Sequence, residues 1–197
     1  MKKLSSIAMI ALAAWMLQAC SGNTKTDSKA AADSINAVND SSVTDTATAM
    51  TMAVEKEDAQ FATEAASGGL AEVALGEMAR QKGLNNKVKN FGAMMVIDHS
   101  KANGEFEGIA KSKKITLPAA PGAEDQKTMD ELSKKSGADF DKAYVSDMID
   151  DHKKDIKTFE AASKSCKDPE IKAFAMKKLP VLRKHLDAIN AIHDSMK

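Results

Sequence analysis

The most regular stretch of the chain runs from Val88 to Ile109 and reads VKNFGAMMVIDHSKANGEFEGI. Apolar residues recur in it at steps of three and four, which is the spacing of one face of an α-helix. A histidine stands in the middle of that face, whose members are Val88, Phe91, Met95, His99, Ala102, Phe106 and Ile109. The pattern predicts a long amphipathic helix that packs against other helices.

The segments on either side of this stretch show the same helical periodicity. Gly83 is a residue at which helices typically end, and Asp168 followed by Pro169 is typical of a helix start. Pro180 lies inside the last segment and predicts a kink near Met176, because proline removes a helical hydrogen bond. The sequence predicts five helices, at 57–83, 86–113, 124–135, 138–166 and 169–196.

Four of these helices are long, and aromatic residues make up only 4% of the chain. Strands favour aromatic and β-branched side chains, so this composition suits helices better. We predict an all-α fold: a ferritin-like four-helix bundle with a short extra helix in the connection between long helices two and three. That connection is long enough to cross back along the bundle, and an up-down-up-down order stays open. Gly104 and Gly108, one turn apart, predict a close helix contact.

The N-terminus has the layout of a bacterial export signal. Lys2 and Lys3 precede an apolar run that ends at Leu17, which is shorter than the roughly 20 residues needed to span a bilayer. The run leads into Leu17-Gln18-Ala19-Cys20, which resembles the bacterial lipobox. This resemblance implies that residues 1–19 are a cleaved lipoprotein signal and that Cys20 is lipidated. An ordinary signal peptide with an incidental cysteine is the alternative.

The lipobox resemblance also implies a location. A lipid on Cys20 would make the membrane a partner of the chain and place it in the bacterial cell envelope. Ser21 after the cysteine favours the outer membrane. Residues 20–55 are rich in Ser, Thr, Asp, Asn and Ala and poor in large apolar residues, so we predict a disordered tether there. A short helix around 30–38 would be marginal.

Charge and the placement of reactive residues argue against two classes of protein, nucleic-acid binders and enzymes. Lys and Arg number 28, as do Asp and Glu, so the formal net charge is zero and we expect no nucleic-acid partner. No Ser/His/Asp or Cys/His arrangement has a credible placement for catalysis, which argues against an enzyme. Cys166 ends a helix beside Lys164 and Lys167, and we interpret it as a bystander rather than a nucleophile.

Three of the four histidines fall near the middle of a long helix, on its apolar face. They are His99, His152 and His185, and Glu72 is the charged member of the corresponding face of the first helix. Helix midpoints share one level in a bundle, so we predict that these four side chains meet and bind a transition metal ion. The alternative is a buried polar network in which each histidine bonds a nearby carboxylate, such as Asp98 or Asp151.

Two further features qualify this metal site. The Glu-x-x-His spacing of ferritin-type di-iron sites is absent, because Val96, Ile149 and Leu182 stand three residues before the histidines. His193 lies near the end of the last helix and is expected at the surface.

The segment from Phe61 to Met196 resembles the ferritin-like family called "domain of unknown function 4142". The motifs that carry the resemblance are Leu70-Ala71-Glu72-Val73-Ala74-Leu75-Gly76, Met95-Val96-Ile97-Asp98-His99-Ser100-Lys101-Ala102, Met148-Ile149-Asp150-Asp151-His152-Lys153, and Leu179-Pro180 with His185. The resemblance implies a ferritin-like bundle in an exported bacterial protein and implies no activity. We therefore expect an envelope lipoprotein that binds a transition metal, with a metal-free structural or interaction protein as the alternative.

Overall fold

The computed structural model describes residues 27–41 and 54–197, and this part of the chain is all-helical, without strands. Its six helices are α1 (Ser28–Ser41), α2 (Lys56–Lys82), α3 (Asn86–Ser112), α4 (Ala123–Ser133), α5 (Gly137–Ser165) and α6 (Pro169–Asp194). The five helices predicted from the sequence correspond to α2 through α6, with bounds that differ by one or two residues. The predicted all-α class is confirmed.

Local sequence signals explain where these helices begin and end. The Asp168 carboxylate accepts hydrogen bonds from the backbone N–H groups of Glu170 and Ile171, and Pro169 stands in the first turn of α6. Gly83 follows the last residue of α2, as predicted. α6 continues through Pro180.

Two core clusters show how the long helices run. The first core cluster combines the start of α2, the end of α3, the end of α5 and the start of α6; it includes Phe61, Phe106, Phe159 and Ile171. The second core cluster combines the opposite ends of the same helices; it includes Leu75, Val88, Phe140 and Ile189. α3 and α5 are therefore parallel, and the connection that contains α4 crosses from one end of the bundle to the other.

A close approach between helices involves Gly76 of α2 and Gly92 of α3. A Cβ atom added to Gly92 would lie 2.5 Å from the Gly76 carbonyl oxygen, and one added to Gly76 would lie 2.7 Å from that of Gly92. The close contact predicted at Gly104 and Gly108 is wrong, since a Cβ at either position would meet nothing within 4 Å. Those two glycines lie on the exposed side of α3.

Two buried aspartates tie the ends of the helices together. Asp141, near the start of α5, accepts hydrogen bonds from the backbone N–H groups of Leu84 and Asn85 in the α2–α3 loop. Asp58, near the start of α2, accepts from Lys167 and Asp168 in the α5–α6 loop. Each carboxylate is 1–2% exposed and is satisfied by backbone donors, so both stabilise the pairing of the two helical hairpins.

Residues 28–41 depart from the disordered tether predicted for 20–55. They form α1, which packs on α2 and buries Ala32 to 2% exposure. Asn36 donates a hydrogen bond to the Thr116 carbonyl at 2.9 Å and accepts one from the Thr116 N–H at 2.8 Å. The prediction of disorder is wrong for this segment, because specific polar bonds supplement an apolar contact too small for composition to reveal.

The predicted signal segment 1–19 and the predicted lipidation site Cys20 lie outside the described residues. So does most of the remaining tether. In the ranges 27–41 and 54–197, none of the helices combines the length and apolar character needed to cross a bilayer.

Candidate metal centre

A layer of polar side chains separates the two core clusters at mid-height of the long helices. α2 contributes Glu72, α3 contributes His99, α5 contributes His152 and α6 contributes His185, and their exposed fractions are 1%, 7%, 0% and 0%. One nitrogen from each imidazole lies within 4.8 Å of one from each of the others. The structure thus brings together the four residues that helical periodicity placed in one layer.

In each imidazole of this layer, one ring nitrogen faces an oxygen acceptor. The three pairs are His99 Nδ1 with Glu72 Oε2 at 2.7 Å, His185 Nε2 with Asp98 Oδ2 at 2.9 Å, and His152 Nδ1 with the Met148 carbonyl oxygen at 2.9 Å. A carbonyl or carboxylate oxygen accepts, so the ring hydrogen lies on these nitrogens wherever the facing oxygen carries no proton. The second nitrogen of each neutral ring then carries a free lone pair, which is how histidines that bind metals are held.

Two of the free lone pairs face each other. His99 Nε2 lies 3.4 Å from His185 Nδ1. Two nitrogen ligands on one tetrahedral zinc ion, each about 2.0–2.1 Å from the metal, are separated by about 3.3–3.4 Å. The separation of these nitrogens therefore suits two ligands of a single ion, whereas it is long for a hydrogen bond.

A second pair of lone pairs meets between Glu72 and His152. Glu72 Oε1 and His152 Nε2 lie 3.5 Å apart, and both are fully buried without a hydrogen-bond partner in the described structure. Buried polar atoms are rarely left unpaired, because each loses its hydration without compensation. A cation bound by both atoms would remove this penalty.

A single proton on Glu72 cannot provide hydrogen bonds for both the His99–His185 contact and the Glu72–His152 contact. If Glu72 is protonated on Oε2, it donates to His99 Nδ1 and lets His99 Nε2–H donate to His185 Nδ1, but Glu72 Oε1 and His152 Nε2 stay unpaired. If the proton sits on Oε1, it reaches His152 Nε2, and the lone pairs of His99 and His185 face each other instead. A metal ion among the three imidazoles would take up the lone pairs of His99, His152 and His185 together.

Burial controls protonation in this layer. Burial lowers the pKa of His99 to about 4 and the pKa of His152 to about 3, and it also lowers the pKa of His185. Burial raises the pKa of Glu72 well above its usual value, and the Asp151 charge raises it further. The imidazoles are therefore neutral near pH 7, which is the form that binds metal ions.

The two carboxylates predicted as partners of the histidines have different positions. Asp98 bonds His185 on another helix rather than its sequence neighbour His99. Asp151, the other carboxylate named in the alternative, lies near Glu72 and Asp155 and interacts electrostatically with His99. Asp155 was missed, although its spacing of four residues from Asp151 was a signal for a shared helix face.

The remaining histidine and the cysteine lie away from this layer. His193 is exposed, as predicted. Burial, together with the Asp58 charge, raises the pKa of the Cys166 thiol to about 12. A buried thiol with a raised pKa is a poor nucleophile, which agrees with the interpretation of Cys166 as a bystander.

A cavity of about 250 Å³ adjoins the layer. His99, His185 and Glu72 border it together with the phenyl rings of Phe106 and Phe174. Its volume can hold water or a small molecule beside the imidazoles. A metal ion held by the histidines would therefore have space for a ligand that the protein does not supply.

Residues 43–192 match the model of a family described as Domain of unknown function (DUF4142). The chain belongs to this family. The matched range includes Glu72 and the three layer histidines, but the family's description states no activity. No curated protein and no solved structure matches the chain.

Proposed function

We propose that this DUF4142 protein is a cell-envelope lipoprotein whose ferritin-like bundle binds one transition metal ion. His99, His152 and His185 supply nitrogen ligands, and Glu72 supplies an oxygen ligand through Oε1. Asp98, Glu72 and the Met148 carbonyl orient the three imidazoles. Glu72 thereby serves both as a ligand and as the acceptor that holds His99.

The single observation that carries this proposal is the unpaired contact between Glu72 Oε1 and His152 Nε2. Both atoms are buried acceptors 3.5 Å apart. If no cation bound there, the unpaired His152 nitrogen would only destabilise the fold. An apolar residue at this position would then be more stable. A cation that both atoms bind explains why two lone pairs face each other here.

The donor set narrows the class of metal. Three imidazoles and one carboxylate suit zinc, copper or iron, whereas Mg²⁺ and Ca²⁺ prefer oxygen ligands alone. The 3.4 Å separation of His99 Nε2 and His185 Nδ1 suits a tetrahedral ion such as zinc. The adjoining cavity leaves space for an exchangeable fifth ligand.

The test is to measure the metal content of the full chain purified without chelator, and then to titrate chelator-treated protein with Zn²⁺, Cu²⁺, Fe²⁺ and Mn²⁺. We expect one tightly bound ion per chain. At a free metal concentration of 100 times the Kd, binding should stabilise the fold by about 2.7 kcal/mol in thermal unfolding.

Two variants and a control give this titration its specificity. His152→Ala removes a ligand and should weaken zinc binding by more than about 100-fold, whereas Asp98→Asn removes an orienting group and should weaken it about 10- to 100-fold. His193→Ala changes an exposed histidine and should leave the Kd unchanged. Metal-free protein that no ion stabilises would exclude the metal site and leave the buried polar network.

The crossover connection supports the ferritin-like part of the proposal. Parallel α3 and α5 require a connection that traverses the bundle, as in ferritin-like folds. This support concerns topology alone, because the chain lacks the Glu-x-x-His motif.

The lipobox-like sequence supports the lipid anchor and hence the envelope location. Replacing Cys20 with Ala should move the protein from the membrane fraction to the soluble fraction, and should remove radiolabel incorporated from a fatty acid. Cys166→Ala is the matched control and should leave both unchanged. A Cys20→Ala protein that stayed in the membrane fraction would contradict the anchor.

A further inference from the structure

The cavity beside the histidine layer is bordered by metal-binding groups and by apolar side chains. His99 and His185 border it, and their Nε2 and Nδ1 atoms lie 3.4 Å apart. Phe106 and Phe174 also border it, and their rings stack with centroids 4.4 Å apart. Sites for small molecules combine apolar walls with a few placed polar groups in this way.

Lys178 brings a positive charge to this cavity. Its side chain is 13% exposed, and its ammonium group lies 2.8 Å from Glu105 Oε2 and 5.1 Å from the centre of the Phe174 ring. An ammonium group has three N–H donors, and in the described ranges Glu105 is the one carboxylate that bonds Lys178. Lys177 shares this carboxylate at 2.7 Å, so the three side chains together carry a positive charge.

The Lys178 charge also acts on the histidine layer. Burial, with a smaller contribution from the Lys178 charge, lowers the pKa of His99 to about 4. Coulomb energy falls with distance, so this effect indicates that the ammonium group lies near the imidazole. Because both groups border the same small cavity, one ligand can contact both.

The charges around the cavity favour a negative ligand. Among the described residues, its border has three lysines and four acids: Lys101, Lys177, Lys178, Glu72, Asp98, Glu105 and Asp155. Burial raises the pKa values of Glu72 and Asp155 well above their usual range, which favours their neutral form. Three ammonium groups then face two carboxylates. A divalent ion bound by Glu72 and neutral imidazoles likewise keeps one uncompensated positive charge.

Asn103 adds hydrogen-bond donors to the cavity. It is half-buried, and its side-chain amide forms no hydrogen bond within the part of the chain that the structure describes. The amide lies against Gly69 of α2, where an added Cβ atom would clash with Asn103 Oδ1. An amide N–H donates to carboxylate oxygens, so Asn103 suits the same ligand as Lys178.

We propose that this cavity binds a small organic carboxylate whose apolar body is about the size of a benzene ring. The carboxylate bonds Lys178 and completes the coordination of the metal ion, while Phe106 and Phe174 contact the apolar body. A cavity of about 150 Å³ suffices for benzene, and this one has about 250 Å³. The coordination step rests on the proposed function, whereas the contacts with Lys178 and the phenyl rings do not.

The probe is 4-fluorobenzoate, whose binding is followed by fluorine NMR with or without metal. The zinc-loaded full chain is titrated with it, and 4-fluorobenzamide is the neutral control with the same ring. We expect a Kd of about 1 mM or below for 4-fluorobenzoate, and binding of the amide that is weaker by about tenfold or more. Equal affinity for the two probes, or no change in the fluorine signal at about ten times that concentration, would overturn the proposal.

Three variants test the residues of the cavity. Lys178→Met removes the charge and keeps an apolar chain, so it should weaken 4-fluorobenzoate binding about tenfold and leave 4-fluorobenzamide unchanged. Lys153→Met is the matched control, because Lys153 is 54% exposed and does not border the cavity. Ala102→Leu fills part of the cavity and should weaken both probes, with zinc content as the check that it folds. Wild-type affinity in Lys178→Met or in Ala102→Leu would contradict binding in this cavity.

The His152→Ala variant separates this inference from the proposed function, since His152 does not border the cavity. It should lose zinc and keep weaker binding of 4-fluorobenzoate, which Lys178→Met in the same background weakens again. If no form of the protein binds zinc but Lys178 still determines the affinity for 4-fluorobenzoate, the carboxylate site stands and the metal site fails. Zinc-loaded protein that does not bind the probe rejects the carboxylate site alone.

Discussion

His152 is the residue whose protonation couples most directly to folding. Burial, with a smaller contribution from the His99 and His185 charges, lowers its pKa to about 3. In the unfolded chain its pKa returns to about 6.5, so below that pH the unfolded state binds a proton that the folded state does not. The stability contributed by neutral His152 is therefore complete above pH 6.5 and is lost as the pH falls toward 3.

We predict that His152→Leu makes metal-free protein less sensitive to acid. Between pH 6 and pH 4, the free energy of unfolding of the wild type should fall relative to the variant by about 1.4 kcal/mol per pH unit. Urea unfolding at several pH values measures this difference. The difference isolates His152 from Asp147 and Asp151, whose pKa values burial raises to about 6 and which act in the opposite direction.

The exposed His193 supplies the control for that comparison. His193→Leu should follow the wild-type pH dependence, because this side chain lies in solvent. Parallel pH curves for the wild type and His152→Leu would show that the His152 imidazole takes up protons equally in both states, contrary to its buried position.

At the level of single residues, the sequence predicted the histidines better than the carboxylates. His99, His152 and His185 lie on apolar faces near the middle of their helices, and the bundle necessarily brings such positions to one level. Asp155 could not be placed, because its position near Glu72 depends on how α2 and α5 face each other. That facing follows from the crossover, which the sequence left open.

The contact between α2 and α3 depends on the absence of side chains at Gly76 and Gly92. We predict that Gly92→Ala destabilises the fold by about 1–3 kcal/mol in urea unfolding, because its Cβ would lie 2.5 Å from the Gly76 carbonyl oxygen and 2.8 Å from Ala79 Cβ. Helix propensity alone predicts the opposite sign, since alanine is favoured over glycine within helices.

Gly104 is the matched control on the same helix. A Cβ at Gly104 would meet nothing within 4 Å, so Gly104→Ala should stabilise the protein by about 0.5–1 kcal/mol. If Gly92→Ala were as stable as Gly104→Ala, the close approach of α2 and α3 would be wrong.

The long helices were predictable because their periodicity, Gly83 and the Asp168-Pro169 pair are local signals. The close contact of two helices is not local. Gly104 and Gly108 show the spacing expected for such a contact, yet they face away from the core, while Gly76 and Gly92 meet across two helices. Only the pairing of α2 with α3 distinguishes these glycines.

At the scale of the whole molecule, α1 lies between Cys20 and the long helices in the sequence. Asn36→Ala should remove both hydrogen bonds to the Thr116 backbone and speed amide hydrogen exchange of residues 28–38 by about tenfold. Exchange in α5 should not change, because α1 packs on α2 and lies outside the bundle core. Hydrogen exchange followed by mass spectrometry of peptides measures both.

Ser34→Ala is the control for α1. Ser34 is exposed, and its hydroxyl bonds the Ala30 carbonyl of its own helix. Exchange of residues 28–38 that was equally fast in the wild type and in Asn36→Ala would mean that α1 does not dock in solution. The composition of this segment predicted such disorder. The experiment therefore tests whether the two hydrogen bonds of Asn36 are enough to dock α1.

The bundle as a whole divides its core into two apolar clusters with a polar layer between them. A continuous apolar core would be more stable, since buried carboxylates and imidazoles carry desolvation penalties. The proposed metal ion would offset these penalties by binding the imidazoles. The crossover makes this possible by bringing one acid and three imidazoles from four helices to the same height.

The most direct test of the metal centre is X-ray absorption at the zinc edge of the full chain loaded with one equivalent of Zn²⁺. We predict a first shell of nitrogen and oxygen at about 2.0–2.1 Å with the outer-shell scattering of three imidazoles, reduced to two in His152→Ala. A first shell of oxygen alone, or an identical spectrum in His152→Ala, would contradict the histidine site.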